Sequence, residues 1–281
     1  MKKMTLKALR LQIIRKFQKV DGQFALAFCD VSNPSNQILI NEKVTFHAAS
    51  TMKTPVMIEV FKQAFEGKFQ LDDNITVKNT FTSIADGSKY SLDIGRDGDD
   101  TLYHQIGKQK RIRDLTYEMI IYSSNLATNN IIELVGADNV MDTMHEMRAY
   151  DIRIRRGVED MKAFEAGLNN TTTAYDLMLI FKQMALGKIV SKEVCDEMTN
   201  ILLDQKTNNI IPAKLPQNVK IAHKTGEVEG SRHDSGIVLL PDGRKYILVI
   251  LSKNLTDLNN GIEWMADLSL SIFNFMNESP N

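Results

Sequence analysis

The chain has 281 residues, 43 % hydrophobic and 25 % charged. These are the proportions of a folded globular chain rather than a disordered or fibrous one, and the length suits one large domain or two closely joined lobes. Its 34 basic and 35 acidic side chains leave a formal net charge of −1, so no global field draws the protein to nucleic acid or to an anionic membrane.

The N-terminal segment MKKMTLKALRLQIIRKFQKV starts basic, as an export signal does, but charges keep interrupting its apolar residues. Leu6, Leu9, Ile13, Phe17 and Val20 fall on one helical face, which predicts an amphipathic helix docked on a sheet. A basic helix lying on a membrane surface is the alternative. No apolar run in the chain reaches the roughly 18 residues of a membrane span. Gln23–Val31 and Gln37–Ile40 read as strands around the turn-rich Ser32–Asn36, and Val44–Ala49 is strand-like. Cys29 and Cys195 read as buried free thiols, with a disulfide as the alternative in an exported protein.

Helical periodicity then runs through Met52–Phe65, Ile112–Tyr122, Asn125–Val135, Asn139–Met147, Thr173–Leu186 and Lys192–Leu203. Gly67, Gly136 and Gly187 sit where left-handed caps belong, and Thr172 or Thr173 where an N-cap does. Phe81–Lys110 is polar and glycine-bearing and reads as a long irregular loop. Within it, the acidic stretch Gly95–Asp100 (GRDGDD) lacks the spacing of a calcium loop. Val219–Ala222, Gly236–Leu240 and Lys245–Ser252 return to strand, the last two joined by the hairpin signal Pro241–Arg244. Leu258–Met276 is helical again.

Strands at both ends and helices between them predict an α+β fold. The terminal strands would form one antiparallel sheet flanked by the N- and C-terminal helices, with an all-helical insert beside it. The expected sheet lobe is 1–66 and 205–281, the helical lobe 67–204, and the cleft between them the natural place for a small-molecule site.

Three short motifs carry chemistry. Ser50-Thr51-Met52-Lys53 opens a helix, and the i and i+3 side chains share a face, so Lys53 points towards Ser50. A serine is a poor nucleophile until a base takes its proton, and a desolvated lysine becomes such a base. Backbone N–H groups at the helix start can hold a developing oxyanion. Ser123-Ser124-Asn125 lies at a junction between two helices, where Ser123 can relay a proton and Asn125 can hydrogen-bond an amide. His223-Lys224-Thr225-Gly226 ends a strand. There Lys224 and Gly226 share a face, Lys224 can hold a carboxylate, and Gly226 lets a substrate backbone approach.

Any one of these alone is a helix cap or a surface lysine. In the order S-x-x-K, S-x-N, K-T-G, they resemble the class A β-lactamases and penicillin-binding serine hydrolases. The resemblance spans nearly the whole chain. It implies an acyl-enzyme on Ser50, proton handling by Lys53 and Ser123, and an acyl side chain oriented by Asn125. It also implies a substrate carboxylate held by Lys224 and Thr225, an oxyanion hole from the N–H groups of Ser50 and Glu227, and Tyr103 near the rim. The implied substrate is a β-lactam or a D-amino peptide, with no cofactor, and the implied location is periplasmic or secreted where a signal has been removed. A D-Ala-D-Ala carboxypeptidase or esterase is the second reading, and a ligand-sensing domain without turnover the third.

The departures are specific. Class A enzymes deacylate with a glutamate on a loop before a Thr-Thr pair. Glu165 begins a suitable Glu-Ala-Gly-Leu-Asn but stands too close to Thr171, while Glu159 is better spaced but lacks the Leu-Asn. A third alternative is that neither is catalytic, since the pattern Asp160, Ala163, Ala166-Gly167, Asn170 and Thr172 resembles a divergent branch of β-lactamase-related serine hydrolases. Ser124 stands where an aspartate is usual. Glu227 follows Lys-Thr-Gly where a small residue is usual, and would disfavour anionic substrates unless Arg232 or Arg244 compensates. No two of His47, His104, His145, His223 and His233 have metal-ligand spacing, so no metal site is read. His233-Asp234 is a candidate pair, with strand packing the plainer reading.

Overall fold

A computed structural model describes residues 4–278 of the chain; the basic start, residues 1–3, lies outside them. In chain order the elements are α1 (Leu6–Phe17), β1 (Gln23–Asp30), β2 (Gln37–Ile40), β3 (Phe46–His47) and a 3-10 turn, Ala49–Met52, running into α2 (Lys53–Phe65). Then come β4 (Asn74–Thr76), β5 (Phe81–Thr82), β6 (Lys89–Tyr90), β7 (Gln109–Arg111), α3 (Ile112–Ile121), α4 (Asn125–Val135), α5 (Ala137–Glu146) and α6 (Met161–Glu165). The remainder is β8 (Thr171–Thr172), α7 (Ala174–Ala185), α8 (Lys192–Leu203), β9 (Lys220–Val228), β10 (Ser231–Leu239), β11 (Lys245–Lys253) and α9 (Leu258–Glu278).

The five-stranded sheet has the order β2-β1-β11-β10-β9, and every pairing is antiparallel. Strand alternation divides its side chains between two cores. Ala25, Ala27 and Cys29 of β1 join Ile247, Val249 and Leu251 of β11 in the larger core, shared with α2, α7 and the helical insert. Phe24, Leu26 and Phe28 join Leu248 and Ile250 in the second core, closed by α1 and α9. Leu9 and Ile13 of α1 and Trp264, Leu268 and Ile272 of α9 supply its lid at helical spacing. Thr5 caps α1, its hydroxyl accepting from Ala8 N–H at 3.2 Å. The N-terminal helix is therefore docked on the sheet, and among the described residues no helix is long and apolar enough to cross a membrane.

Several boundaries differ from expectation for physical reasons. β10 begins at Ser231 rather than at the apolar Gly236, because His233, Asp234 and Ser235 are buried polar residues with hydrogen-bond partners. Hydropathy does not register such a strand. Of Val44–Ala49 only Phe46–His47 is strand, paired with Thr171–Thr172. The expected loop Phe81–Lys110 contains the β5–β6 hairpin, two 3-10 turns and β7, which pairs with β4. α6 was not legible as a helix, and it exists because Asp160 caps Ala163 N–H at 3.1 Å. Thr173, not Thr172, caps α7, accepting from Asp176 N–H at 3.1 Å. Cys29 and Cys195 are both buried and free.

Leu26 is fully buried at the centre of the second core. Leu26→Ala should cost about 2–5 kcal/mol through lost burial and the residual cavity, and a fall in Tm of roughly 5–15 °C in calorimetry checks it.

Candidate active site

The turn that carries Ser50 is built by its neighbours. Ala48 N–H donates to Asn170 C=O at 2.9 Å, Ala49 N–H to His47 Nδ1 at 3.0 Å, and Thr51 Oγ1 to Ala48 C=O at 2.5 Å. Ala49 takes φ +46°, a left-handed conformation that a non-glycine residue keeps only where the surroundings over-determine it. His233 Nε2, 2.9 Å from His47 C=O, braces the same segment, and burial pushes the His233 ring down to about 4. This turn sets Ser50 on a cavity of about 390 Å³ that Asn125, Glu159 and Glu227 also line.

One turn on, Lys53 is fully buried. Its Nζ donates to Ser123 C=O at 2.6 Å, Ser123 Oγ at 3.1 Å and Asn125 Oδ1 at 3.0 Å. From β9, the equally buried Lys224 brings its Nζ to 3.1 Å from the same Ser123 Oγ and 3.1 Å from Thr225 C=O. One hydroxyl thus bridges two buried lysines. Burial lowers both: Lys53 falls well below the ordinary lysine value, helped by the charge of Lys224 and opposed by Asp97 and Glu159. Lys224 falls to about 7, opposed by Asp234 and Glu227. Desolvation works against the ammonium form at both lysines.

Gly226 carries β9 against the Ser50 turn, because a Cβ there would lie 3.1 Å from Thr51 Cγ2 and 3.3 Å from Ala49 Cβ. Thr225 is buried and Glu227 is exposed on the cavity wall. Arg232 pairs across the strands with Glu227, its Nε 3.6 Å from Oε1. Arg244 stands instead at the β10–β11 hairpin with Asp242 and Met276 C=O. The candidate pair His233-Asp234 does not form, since adjacent strand residues face opposite sides. Asp234 Oδ1 lies 2.8 Å from His223 Nδ1, and Asp234 Oδ2 accepts from Ile211 N–H at 2.9 Å. His223 Nε2 in turn lies 3.1 Å from Asn208 Oδ1.

The two glutamates separate. Glu159, at φ +59°, lines the cavity with Ser50, and its Oε1 accepts from Asn125 Nδ2 at 2.8 Å. Glu165 ends α6 exposed to solvent, outside the cavity lining. The Glu159 loop is pinned on both sides. Asn129 accepts from Val158 N–H at 2.6 Å and donates to Val158 C=O at 3.1 Å. Asp160 accepts from Ser83 Oγ at 2.8 Å and Ile84 N–H at 3.0 Å. Asn170 accepts from Arg155 N–H at 2.8 Å and donates to Arg156 C=O at 2.9 Å. Tyr103, expected near the rim, is half-buried and outside the cavity lining, with its hydroxyl donating to Asp97 at 3.1 Å. Among the described residues no group of three or more His, Cys, Asp or Glu is placed to hold a metal ion.

Comparison with known proteins places the chain among β-lactamase-like folds. The sequence model of a family described as "Beta-lactamase enzyme family" matches residues 7–276. β-Lactamase VEB-1 of Pseudomonas aeruginosa is 24 % identical over 264 residues, covering 87 % of this chain and 82 % of that protein. A variant of PBP-A, solved as an acyl-enzyme complex with penicillin G, superposes with a TM-score of 0.84 at 25 % identity, covering 99 % of this chain and 100 % of the other. A β-lactamase from Sphaerobacter thermophilus superposes with a TM-score of 0.82 at 22 % identity, covering 99 % and 100 %.

Lys224 titrates near its ordinary 10.5 when unfolded and near 7 when buried. Between those values the unfolded chain binds more protons, so this group makes stability rise with pH. Lys224→Met should therefore melt higher than the native protein at pH 6, with the advantage shrinking towards pH 10. Calorimetry across that range checks the sign.

Proposed function

The chain belongs to the β-lactamase enzyme family, and from that premise we propose that it is a serine hydrolase that opens β-lactam amides through an acyl-enzyme on Ser50. The observation that carries the reading is the Ser123 hydroxyl at 3.1 Å from both Lys53 Nζ and Lys224 Nζ, beside the cavity that Ser50 lines.

Ser50 Oγ attacks the lactam carbonyl while its proton passes to neutral Lys53. The N–H groups of Ser50 and Glu227 receive the oxyanion. As the C–N bond breaks, Ser123 gives its proton to the departing nitrogen and is refilled by Lys53, which ends neutral again. Lys224 and Thr225 take the substrate carboxylate. The proton on Lys224 is favoured once that anion arrives, so substrate binding and lysine charge reinforce each other. Arg232 beside Glu227 offsets a carboxylate that would oppose an anion there. Asn125 joins the two halves of the reaction, with Oδ1 on Lys53 and Nδ2 on Glu159. Glu159 then takes a proton from the water that attacks the ester and gives that proton to Ser50 Oγ as the ester bond breaks, so that Glu159 ends as carboxylate and Ser50 as hydroxyl.

A second reading, a D-Ala-D-Ala carboxypeptidase or esterase that deacylates β-lactams poorly, is favoured by the missing Leu-Asn after Glu159 and by the likeness to PBP-A. Mass spectrometry after exposure to a penicillin, together with turnover of a chromogenic cephalosporin, tests both. The native protein should turn over the cephalosporin, and Ser50→Ala should gain no adduct. Glu159→Gln should still acylate but lose about 10²–10⁴-fold in turnover, while Glu165→Gln should match the native protein. No adduct on native Ser50 defeats the proposal, and a long-lived adduct on the native protein favours the second reading.

A further inference from the structure

The Ser123–Asn125 turn needs outside support. Ser123 takes φ +60°, a conformation that persists in a serine only where its surroundings hold it. The first N–H groups of α4 also lack partners within the helix. Ser124 serves one of them, Ala127 N–H, at 3.2 Å. A carboxylate at position 124 would do more, and this chain has a serine there.

The missing carboxylate comes from the acidic stretch Gly95–Asp100. Asp97 Oδ1 accepts from Asn125 N–H at 2.7 Å, and Oδ2 from Leu126 N–H at 2.8 Å. Tyr103 Oη donates to Oδ2 at 3.1 Å, and Ser124 Oγ stands 3.5 Å from it. A negative charge at a helix N-terminus, held by successive N–H groups, is the favourable arrangement. The loop can come this close because position 98 is glycine: a Cβ there would lie 2.1 Å from Tyr122 C=O. Arg96 C=O stands 3.5 Å from Asn125 Nδ2, so the loop touches the turn through three consecutive residues. Asp93 and Asp99 fold the loop itself, Asp93 accepting from Gly95 N–H at 2.9 Å and Asp99 from Thr101 N–H at 3.0 Å.

We propose that Asp97 is a positioning residue: from a separate loop it clamps the start of α4, and so keeps Ser123 Oγ and Asn125 Oδ1 on Lys53 Nζ. The inference rests on the reading of Ser123 and Asn125 as catalytic machinery. Asp97 needs no contact with substrate. Its negative charge also opposes the burial that lowers Lys53.

The test is a double-mutant cycle between Asp97→Asn and Ser124→Asp, read by the rate of Ser50 acylation with a fluorescent penicillin and by melting temperature. Asp97→Asn should slow acylation roughly 10- to 100-fold, as small misplacements of catalytic groups do. Ser124→Asp alone should also slow it, because two carboxylates then crowd one helix end. The two together should acylate at least about tenfold faster than Asp97→Asn alone, because a carboxylate is again present at the turn. General destabilisation would instead make the two losses add. Amide exchange by NMR supplies a readout without substrate: Asn125 and Leu126 N–H should exchange at least about tenfold faster in Asp97→Asn. Native exchange rates at those two amides, or no recovery in the double variant, would overturn the proposal. Failure of native Ser50 to acylate would instead count against the proposed function, leaving the exchange measurement to decide the clamp.

Discussion

The two buried lysines that share the Ser123 hydroxyl are the constraint on which the rest of the site depends. Each is fully buried, and each would be costly there as an isolated ammonium. Three segments far apart in sequence are needed to offset that cost: the start of α2, the α3–α4 turn and β9. Two carbonyls and the Ser123 hydroxyl accept hydrogen bonds from the lysines, while the carboxylates of Asp97, Glu159, Asp234 and Glu227 supply opposing charge. The tension is not removed, and burial still lowers both lysines. In the proposed reaction, the proton affinity of Lys53 is therefore set by α2, the α3–α4 turn and β9 together. It follows that distant packing faults at this junction would register first in proton transfer.

The catalytic candidates were legible where the chemistry is local. Ser50 and Lys53 share a face because one helical turn separates them, and Lys224 and Gly226 share one because strands alternate. The order of the motifs suggested the fold, and strands at both termini with helices between them suggested one antiparallel sheet. What was not legible is non-local. Spacing left Glu159 and Glu165 as competitors. They part because Asn129, Asp160 and Asn170 pin the loop so that Glu159 meets Asn125, while the end of α6 turns Glu165 to solvent. Asp97 lay in a stretch read only as acidic loop, and its Asp-Gly pair was the available signal. The first half of β10 escaped hydropathy because its buried residues are polar.

The two faces of the sheet divide the labour. The α1–α9 face is apolar over β1 and β11, and at β9 and β10 it carries the buried pair His223 and Asp234. The other face meets the helical insert. His223, Asp234 and Asn208 form a hydrogen-bonded row just behind Lys224, so the strand that presents the lysine is fixed from the rear. An unpaired buried carboxylate or imidazole at that place would loosen the sheet. Here the polar groups hold the β9–β10 register, and that register decides where Lys224 points.

The strand order also dictates when the protein can close. β1 pairs along its whole length with β11, Gln23 with Lys253 through Asp30 with Tyr246, so the first strand's principal neighbour is the last to be synthesised. Until then β1 and β2 are a marginal two-stranded hairpin, with apolar faces and an open edge able to join another chain. Contacts of such sequence separation slow folding and lengthen the exposure of intermediates. A ribosome that stalls before β11 would leave a chain that holds Ser50, Lys53 and Ser123 but cannot close its sheet, and therefore cannot bury them: a substrate for chaperones and proteases rather than a weak enzyme.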